Sequence, residues 1–529
     1  MTPDTETHRL HPALLWLQRA LTAAALLALG FLVLVYLLYF LSLLRFPFDY
    51  DQGEGFELWD SVLLARGDAF YRDNTVFPFY SSNYGPTFRV LLTPLVLLFG
   101  PHLWIGRTWS FLMTVGIAVL IGGNVWREVK RPALAALAGM AFLASNTVYH
   151  IGPLYRSHTT MVFFGLLAVT LMARIDEVRH RQRTILLALV CLMLAIYTKQ
   201  LAFDAALAVF VFLFLRKPRE SILYGLAFVV AFGLIHLLLN ATTGGMWSLN
   251  AFGANANPFV TGQAETFTWQ WLSLHRVIVL LAALYVVYAV YFDRISVYAL
   301  YFVAGVIPGI LSGKWGAGPN YFMAATAAAC IGTGVLLGVI ANRLGEQAGR
   351  NRPARIGLAA WGVIVPLLFI AQAWFNLHLP LDHPLTRPVA RALGIPAEAE
   401  GRFRQSYYDT VGYTQLGHLI TQQDIAAGWY IVEVLRAVPG PVWSEEAMFP
   451  INAGKEVVTN PTQLLNLYNQ DRLEMDEMIG MIERQEFGAV VFRARFYPLP
   501  VLEAIGQHYR VSEQVEMNGF TYDILLPTP

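Results

Sequence analysis

Phe48-Asp49-Tyr50-Asp51-Gln52-Gly53-Glu54-Gly55-Phe56 follows almost directly on the long apolar run Leu21 to Leu44. A run of that length crosses a bilayer as a helix. The acids therefore emerge at the membrane surface, where a carboxylate is costly unless it faces water, a cation or a substrate. The functional reading makes Asp51 a catalytic base, with Asp49 as its rival. Glu54 reads as a second acid, a metal ligand or a carboxylate that orients Lys199. The bland reading makes the acids the solvated end of a helix.

Composition sets the class of the whole chain. It is 56% hydrophobic and 14% charged, with a mean hydropathy of +0.49, whereas soluble domains carry nearer a quarter charged residues. This is the composition of a polytopic membrane protein. The formal net charge of +1 suggests no nucleic-acid partner. Cys191 and Cys330 both lie inside apolar runs, which argues against a disulfide framework. No small-residue cleavage site follows the first apolar run, so it reads as a retained span.

Spans are expected at about 20–44, 103–126, 132–150, 157–175, 184–198, 199–215, 220–240, 272–292, 295–311, 319–341 and 356–376. The piece Thr87 to Phe99, between Gly85-Pro86 and Gly100-Pro101, is too short for a comfortable span. It reads as a juxtamembrane helix in a long first outer loop. The basic loops at 127–131, 174–183, 216–219, 294 and 343–355 then share one side, which the positive-inside rule makes cytoplasmic. The expectation is eleven spans, the N-terminus cytoplasmic and the C-terminus outside. Spans 184–198 and 199–215 are read as two short helices with an outer turn at Tyr197-Thr198-Lys199-Gln200.

Residues 1–376 thus form the expected transmembrane domain. Pro380, Pro384, Pro388 and Pro396 mark a linker, and 377–529 read as linker plus a small α/β domain. Its expected strands are Pro441 to Ser444, Glu456 to Thr459, Gly488 to Phe492 and Phe520 to Leu526, and its expected helices Gln415 to Val438 and Arg472 to Arg484. It holds no metal motif, phosphate loop or nucleophile elbow.

On this topology Asp49, Asp51, Glu54, Arg156, His158, Lys199, Gln200 and Lys314 share the outer face. Carboxylates and cations on one face suit a reaction between a lipid-phosphate donor and a hydroxyl acceptor. A carboxylate removes the hydroxyl proton, and cations stabilise the departing phosphate. Arg grips phosphate bidentately and Lys acts as a point charge. Lys314 lies in the Gly-rich loop Ser312 to Tyr321, where backbone approaches a ligand closely. The bland readings are that Lys199 and Arg156 snorkel to headgroups and that His158 is structural. Asp204 reads as bonded within the bundle, and Asp60, Asp68 and Asp73 as solvated charges and helix punctuation. Trp59, Phe77, Phe79, Tyr80 and Tyr84 are candidates to line a lipid or sugar groove.

These stretches, in this order, resemble the polytopic GT-C glycosyltransferases, the superfamily of protein O-mannosyltransferases and aminoarabinose transferases that use polyprenyl-phosphate sugars. Asp51-Gln-Gly-Glu54-Gly is similar to the acidic first-loop motif, and Leu64-Ala-Arg-Gly67-Asp-Ala-Phe-Tyr71 to the helix end after it. Asn83-Tyr84-Gly85-Pro86 and Leu98-Phe99-Gly100-Pro101 to Gly106-Arg107 resemble the aromatic-Pro segment, the Phe-Gly turn and the Arg before the next span. Tyr197-Thr198-Lys199-Gln200 and Gly316-Ala-Gly-Pro-Asn320-Tyr321 resemble the Thr-Lys-Gln and Gly-rich Asn-Tyr segments of bacterial members. The likeness covers about residues 20–340.

The resemblance implies Asp51 as base, Glu54 as its companion and an inverting displacement at the anomeric carbon. It also implies a polyprenyl-phosphate sugar donor, a lipid, glycan or protein acceptor, and a place in a bacterial inner membrane with the C-terminal domain periplasmic. Donor and acceptor contacts fall to Lys199, Gln200, Arg156, His158, Lys314, Asn320, Tyr321 and Tyr84. Two features depart from the pattern: Gln52-Gly53 separate acids that many members have adjacent, and Ser157-His158 stand where relatives often have an acid. Some branches use a divalent cation, and Asp51 plus Glu54 supply too few oxygens to decide. The rival class is a lipid or sugar transporter or flippase. Such proteins bind at the midplane between repeated halves, and no convincing repeat is present here.

Overall fold

The computed structural model describes residues 12–349, 351–380, 383–394 and 419–529. The N-terminal eleven residues, Pro396 and the start of the expected helix at 415–418 lie outside them. The chain is mainly α-helical. Among the described residues seven helices are long and apolar enough to cross a membrane: Pro12–Leu44, Leu103–Val129, Arg181–Thr198, Pro218–Thr242, Thr261–Tyr291, Pro319–Ala348 and Arg352–Phe375. At ~1.5 Å per residue the first, of 33 residues, spans about 50 Å, more than the ~30 Å hydrocarbon. Pro218 and Pro132 open their helices at the first turn, where proline loses no hydrogen bond.

The other four expected spans are shorter helices: Pro132–Leu143, His158–Ala173, Phe203–Arg216 and Val297–Ile310. The span expected at 132–150 breaks at Ala144-Ser145 and resumes as Asn146–Ile151. The tight pair is two helices, as expected, joined by Lys199 and the 3₁₀ turn Gln200–Ala202. Helix Thr261–Tyr291 begins earlier than expected and kinks at His275. The helix from Pro319 is the most enclosed of the seven, every residue from Met323 to Gly338 being buried. Its Ala and Gly residues let neighbouring backbones come close.

The first loop folds onto this bundle. Its helix Glu54–Arg66 stops at Gly67, which takes the left-handed conformation (φ 81°) that caps a helix at little cost to glycine. The short piece is the 13-residue helix Thr87–Phe99. It packs on the first, with the Thr93 hydroxyl donating to the Ser61 carbonyl.

The C-terminal unit is a four-stranded sheet flanked by helices, with strands β1 (Val442–Ser444), β2 (Ala489–Phe492), β3 (Tyr509–Met517) and β4 (Phe520–Pro527). The order is β1-β2-β4-β3; β1 and β2 run parallel and the rest pair antiparallel. Two expectations are corrected. Glu456 to Thr459 forms no strand: it makes one bridge, Thr459 to Phe79 of the first loop. The strand Tyr509–Met517 is additional to those expected. Its residues are largely exposed and polar, so pairing with β4 rather than hydrophobic alternation holds it. The helices are Gln422–Ala437, opened by a Thr421/Asp424 capping box, Met448–Ala453, Pro461–Tyr468, Asp476–Glu483 and Leu499–His508; the first and fourth fall in the two expected helices.

This unit docks on the first loop. Asp49 is fully buried and accepts from the amides of Gly55 and Met448, so one carboxylate holds the first turns of two helices. Asn452 donates to the Pro47 carbonyl at 3.1 Å, and Phe48 stacks edge-on against Trp429. Burial pushes the Asp49 carboxyl well above the usual carboxylate range, and the neighbouring Glu446 pushes it further. Burial likewise pushes Glu446 up to about 7, against the pull of Arg493. A carboxyl raised in the folded state binds its proton more tightly there, so it stabilises the fold at low pH and that contribution fades as pH rises through the folded value. The melting temperature is therefore expected to fall between about pH 5 and pH 7, and Glu446→Gln to flatten that slope. An unchanged slope in this variant, followed by thermal scans across the pH series, would remove Glu446 as the cause.

Candidate active site

The acidic stretch splits into two roles. Glu54 is fully buried and locked to Arg107, Nε to Oε1 at 2.9 Å and Nη2 to Oε2 at 2.7 Å. Glu54 also accepts from the amides of Tyr50 (2.9 Å) and Tyr155 (2.7 Å). Arg107 spends its remaining donors on the carbonyls of Leu43, Phe46 and Phe48. Both carboxylate oxygens of Glu54 are thus taken by Arg107 and backbone amides, and its partner is Arg107, not Lys199 as the sequence reading allowed. Asp49 is taken up in the same way by two helix termini.

Asp51 is the exception. Its side chain keeps 7% of its surface exposed and meets Arg156, Nε to Oδ2 at 3.2 Å. Arg156 also lies 3.8 Å from Glu57 and is 21% exposed. Gly53 makes this possible: a Cβ there would sit 1.6 Å from Arg156 Nη1. Glu57 accepts from the Ser157 hydroxyl at 3.2 Å. Arg89 closes the cluster, 2.9 Å from Asp60 and 3.5 Å from Glu57.

Lys199 sits where its helix has ended, 7% exposed, with Nζ 4.8 Å from the Tyr84 ring centre and 5.3 Å from that of Tyr321. Burial pulls its ammonium down to about 7, and Arg156 adds to the pull while Glu57 opposes it. His158 stacks near Tyr321 with ring centres 6.2 Å apart. Burial lowers Lys314, and Lys199 lowers it further. Gly85 lets the Tyr84 loop press on the end of the Lys199 helix: a Cβ would meet the Tyr197 carbonyl at 2.0 Å.

The structure thus gathers Asp51, Arg156, Lys199, Tyr84, Tyr321, His158 and Lys314. Gln200 turns away: its amide donates to the Ala251 carbonyl at 2.9 Å, and the residue lines an apolar groove of about 250 Å³ with Phe203, Phe228 and Trp247. Asn320 folds back over Gly318, its Oδ1 being 2.9 Å from where a Cβ would stand. Phe77 and Phe79 pack against the C-terminal core beside Trp443, not in the cleft. Among the described residues no three His, Cys, Asp or Glu side chains converge as a metal would need, and Glu54 faces Arg107 rather than sharing a ligand position with Asp51.

Several contributors are absent from the sequence expectation. Glu57 and Arg89 are two of them, and Asp60, expected to be solvated, is buried and bonded to Tyr80, Ser82 and Arg89. Glu54, Glu57 and Asp60 recur every three residues in one helix, a signal of one acidic face. Asn460 and Thr462 of the C-terminal unit line the cleft with Tyr84 and Arg156, a juxtaposition with no sequence signal.

The architecture is similar to that of the solved ArnT structures. The crystal structure of ArnT from Cupriavidus metallidurans bound to undecaprenyl phosphate matches 94% of this chain and 97% of its own, at 15% identity and TM-score 0.56. Its apo form matches 95% and 98%, at 14% identity and TM-score 0.57. The apo oligosaccharyltransferase of Archaeoglobus fulgidus is a looser match, over 93% of this chain and 73% of its own, at 13% identity and TM-score 0.47. No family model and no curated protein matches the sequence.

Removing one partner of a buried ion pair leaves the other charge uncompensated, at a cost of about 3–5 kcal/mol. Arg107→Ala is therefore expected to lose most folded protein, as read by detergent size-exclusion chromatography. Lys199→Met removes a charge that burial already opposes and is expected to retain the wild-type elution profile.

Proposed function

We propose that this protein is a membrane glycosyltransferase that moves a sugar from a polyprenyl-phosphate donor to a hydroxyl acceptor at the outer face of a bacterial inner membrane. The observation that carries the reading is the cluster itself. Asp51, the acid of its stretch left with an accessible edge, lies against Arg156 on the wall of the cleft, and Lys199 stands over the Tyr84 ring that lines it. The GT-C fold supports it.

Asp51 takes the acceptor proton as the hydroxyl attacks the anomeric carbon, and the phosphate leaves with the bonding electrons, inverting the centre. Arg156 and Lys199 receive the phosphate charge, with Lys314 beside them. Arg156 also holds the Asp51 carboxylate in place through their contact. Positioned proton transfer of this kind contributes roughly 10²–10⁴-fold. The apolar groove behind Lys199, lined by Gln200, Phe203, Phe228 and Trp247, suits a prenyl chain, so the lipid lies along the bundle while its phosphate reaches the cleft. The C-terminal unit, through Asn460 and Thr462, faces the acceptor side.

Asp51→Asn is expected to lower transfer from an undecaprenyl-phosphate sugar by about 10²-fold or more while leaving undecaprenyl phosphate bound in native mass spectrometry. Full activity would remove Asp51 from the mechanism. Binding should also depend on pH through Lys199. Its ammonium predominates below about 7 and is lost above it, so affinity for a phosphodiester-linked donor should weaken from about pH 6 to about pH 9. Lys199→Arg, which stays charged, should bind equally well at both ends of that range; a slope kept by this variant would place the titrating group elsewhere.

A further inference from the structure

Gln52 is the residue of the acidic stretch to which no role has fallen. It is 2% exposed, and among the described residues neither its Nε2 nor its Oε1 has a hydrogen-bond partner. It lines the same cleft as Phe56, Glu57, Tyr84 and Arg156, with Asn460 contributed by the C-terminal unit. Buried polar groups are nearly always paired, and one that is not needs a reason. A ligand that enters the cleft supplies it.

The chemistry of that ligand follows from what the cleft lacks. A carboxamide offers two donors and an acceptor, the complement of neighbouring hydroxyls, each of which both gives and takes. An ammonium group only donates, so it would leave the Gln52 amide nitrogen unpaired. The acids of the cleft are also engaged with cations already: Asp60 is bonded to Arg89 at 2.9 Å, Glu57 lies between Arg89 and Arg156, and Asp51 lies on Arg156. Aromatic faces at Phe56, Tyr80 and Tyr84 line the same space. Because the phosphate is bonded to the anomeric position, cations that hold it bring the sugar ring within reach of the residue next to Asp51.

Resting on the transferase reading above, we infer that Gln52 reads the neighbouring 3- and 4-hydroxyls of a neutral pyranose carried by the lipid phosphate, and that the cleft rejects a donor sugar in which an ammonium group replaces one of that pair. Gln52 is then a specificity residue, not a catalytic one. Its unpaired amide is a cost that the free protein bears for selectivity, as sites built to bond a substrate hydroxyl do.

The test uses the full chain in lipid nanodiscs and three probes: undecaprenyl-phosphoryl glucose, undecaprenyl-phosphoryl 4-amino-4-deoxyarabinose and undecaprenyl phosphate. Wild type is expected to bind the glucose lipid at least about tenfold more tightly than the aminosugar lipid. Q52L should bring that ratio close to one, and Q52E should shift it toward the aminosugar. Because the native side chain makes no hydrogen bond among the described residues that leucine would lose, the lipid-free melting temperature of Q52L should equal or exceed that of wild type, which guards against a folding artefact. A ratio unchanged in Q52L, or a wild-type preference for the aminosugar lipid, overturns the inference while leaving the transferase reading in place. Failure of all three lipids to bind wild type overturns both.

Discussion

The site depends on one buried ion pair. Glu54 and Arg107 are both wholly shielded from solvent, and Arg107 ties together the end of the first helix, the acidic stretch and the helix it belongs to through three backbone carbonyls. A guanidinium with its donors satisfied and a carboxylate with four hydrogen-bonding neighbours meet the condition under which a buried pair is tolerated. The pair turns a loop into a rigid platform. Gln52 lines the cleft beside that platform, and Asp51 meets Arg156, which lines it too.

Most acids of the first loop hold shape. Asp49 joins the first loop to the C-terminal unit, Glu54 joins it to the bundle, and Asp60 joins its helix to the Tyr80–Arg89 segment. The group proposed above for chemistry is smaller: Asp51, Arg156, Lys199 and the amide of Gln52. The under-satisfied members are the informative ones. Lys199 has two aromatic faces and a depressed ammonium, and Gln52 has no partner among the described residues.

The C-terminal unit takes part in this arrangement. It meets the first loop through the Asp49–Met448 bond, the Thr459–Phe79 bridge and the Arg66–Glu456 ion pair. It places Asn460 and Thr462 on the cleft wall. The titration of Asp49 and Glu446 lies in this same contact, so the docking of the unit and the protonation of its carboxyls are coupled.

Membrane class, the approximate position of the long apolar helices and the order of the segments that meet at the cleft are legible in the amino-acid order. They are legible because apolar length, helix punctuation and glycine placement are local, and because emerging from a bilayer puts distant loops on a common face. Four of the expected spans are shorter helices instead, since composition along a run does not report where a helix breaks. Which acids are spent is a matter of tertiary contacts. Asp49, Asp51 and Glu54 are equivalent as residues in a short loop, and only partners far along the chain, from Arg107 to Met448, separate the two locked carboxylates from the accessible one. The same holds for Gln52, whose significance is the lack of a partner among the described residues, and for Asn460, which reaches the cleft only because another domain docks there. Burial and pairing are properties of distant neighbours, and no local pattern encodes them.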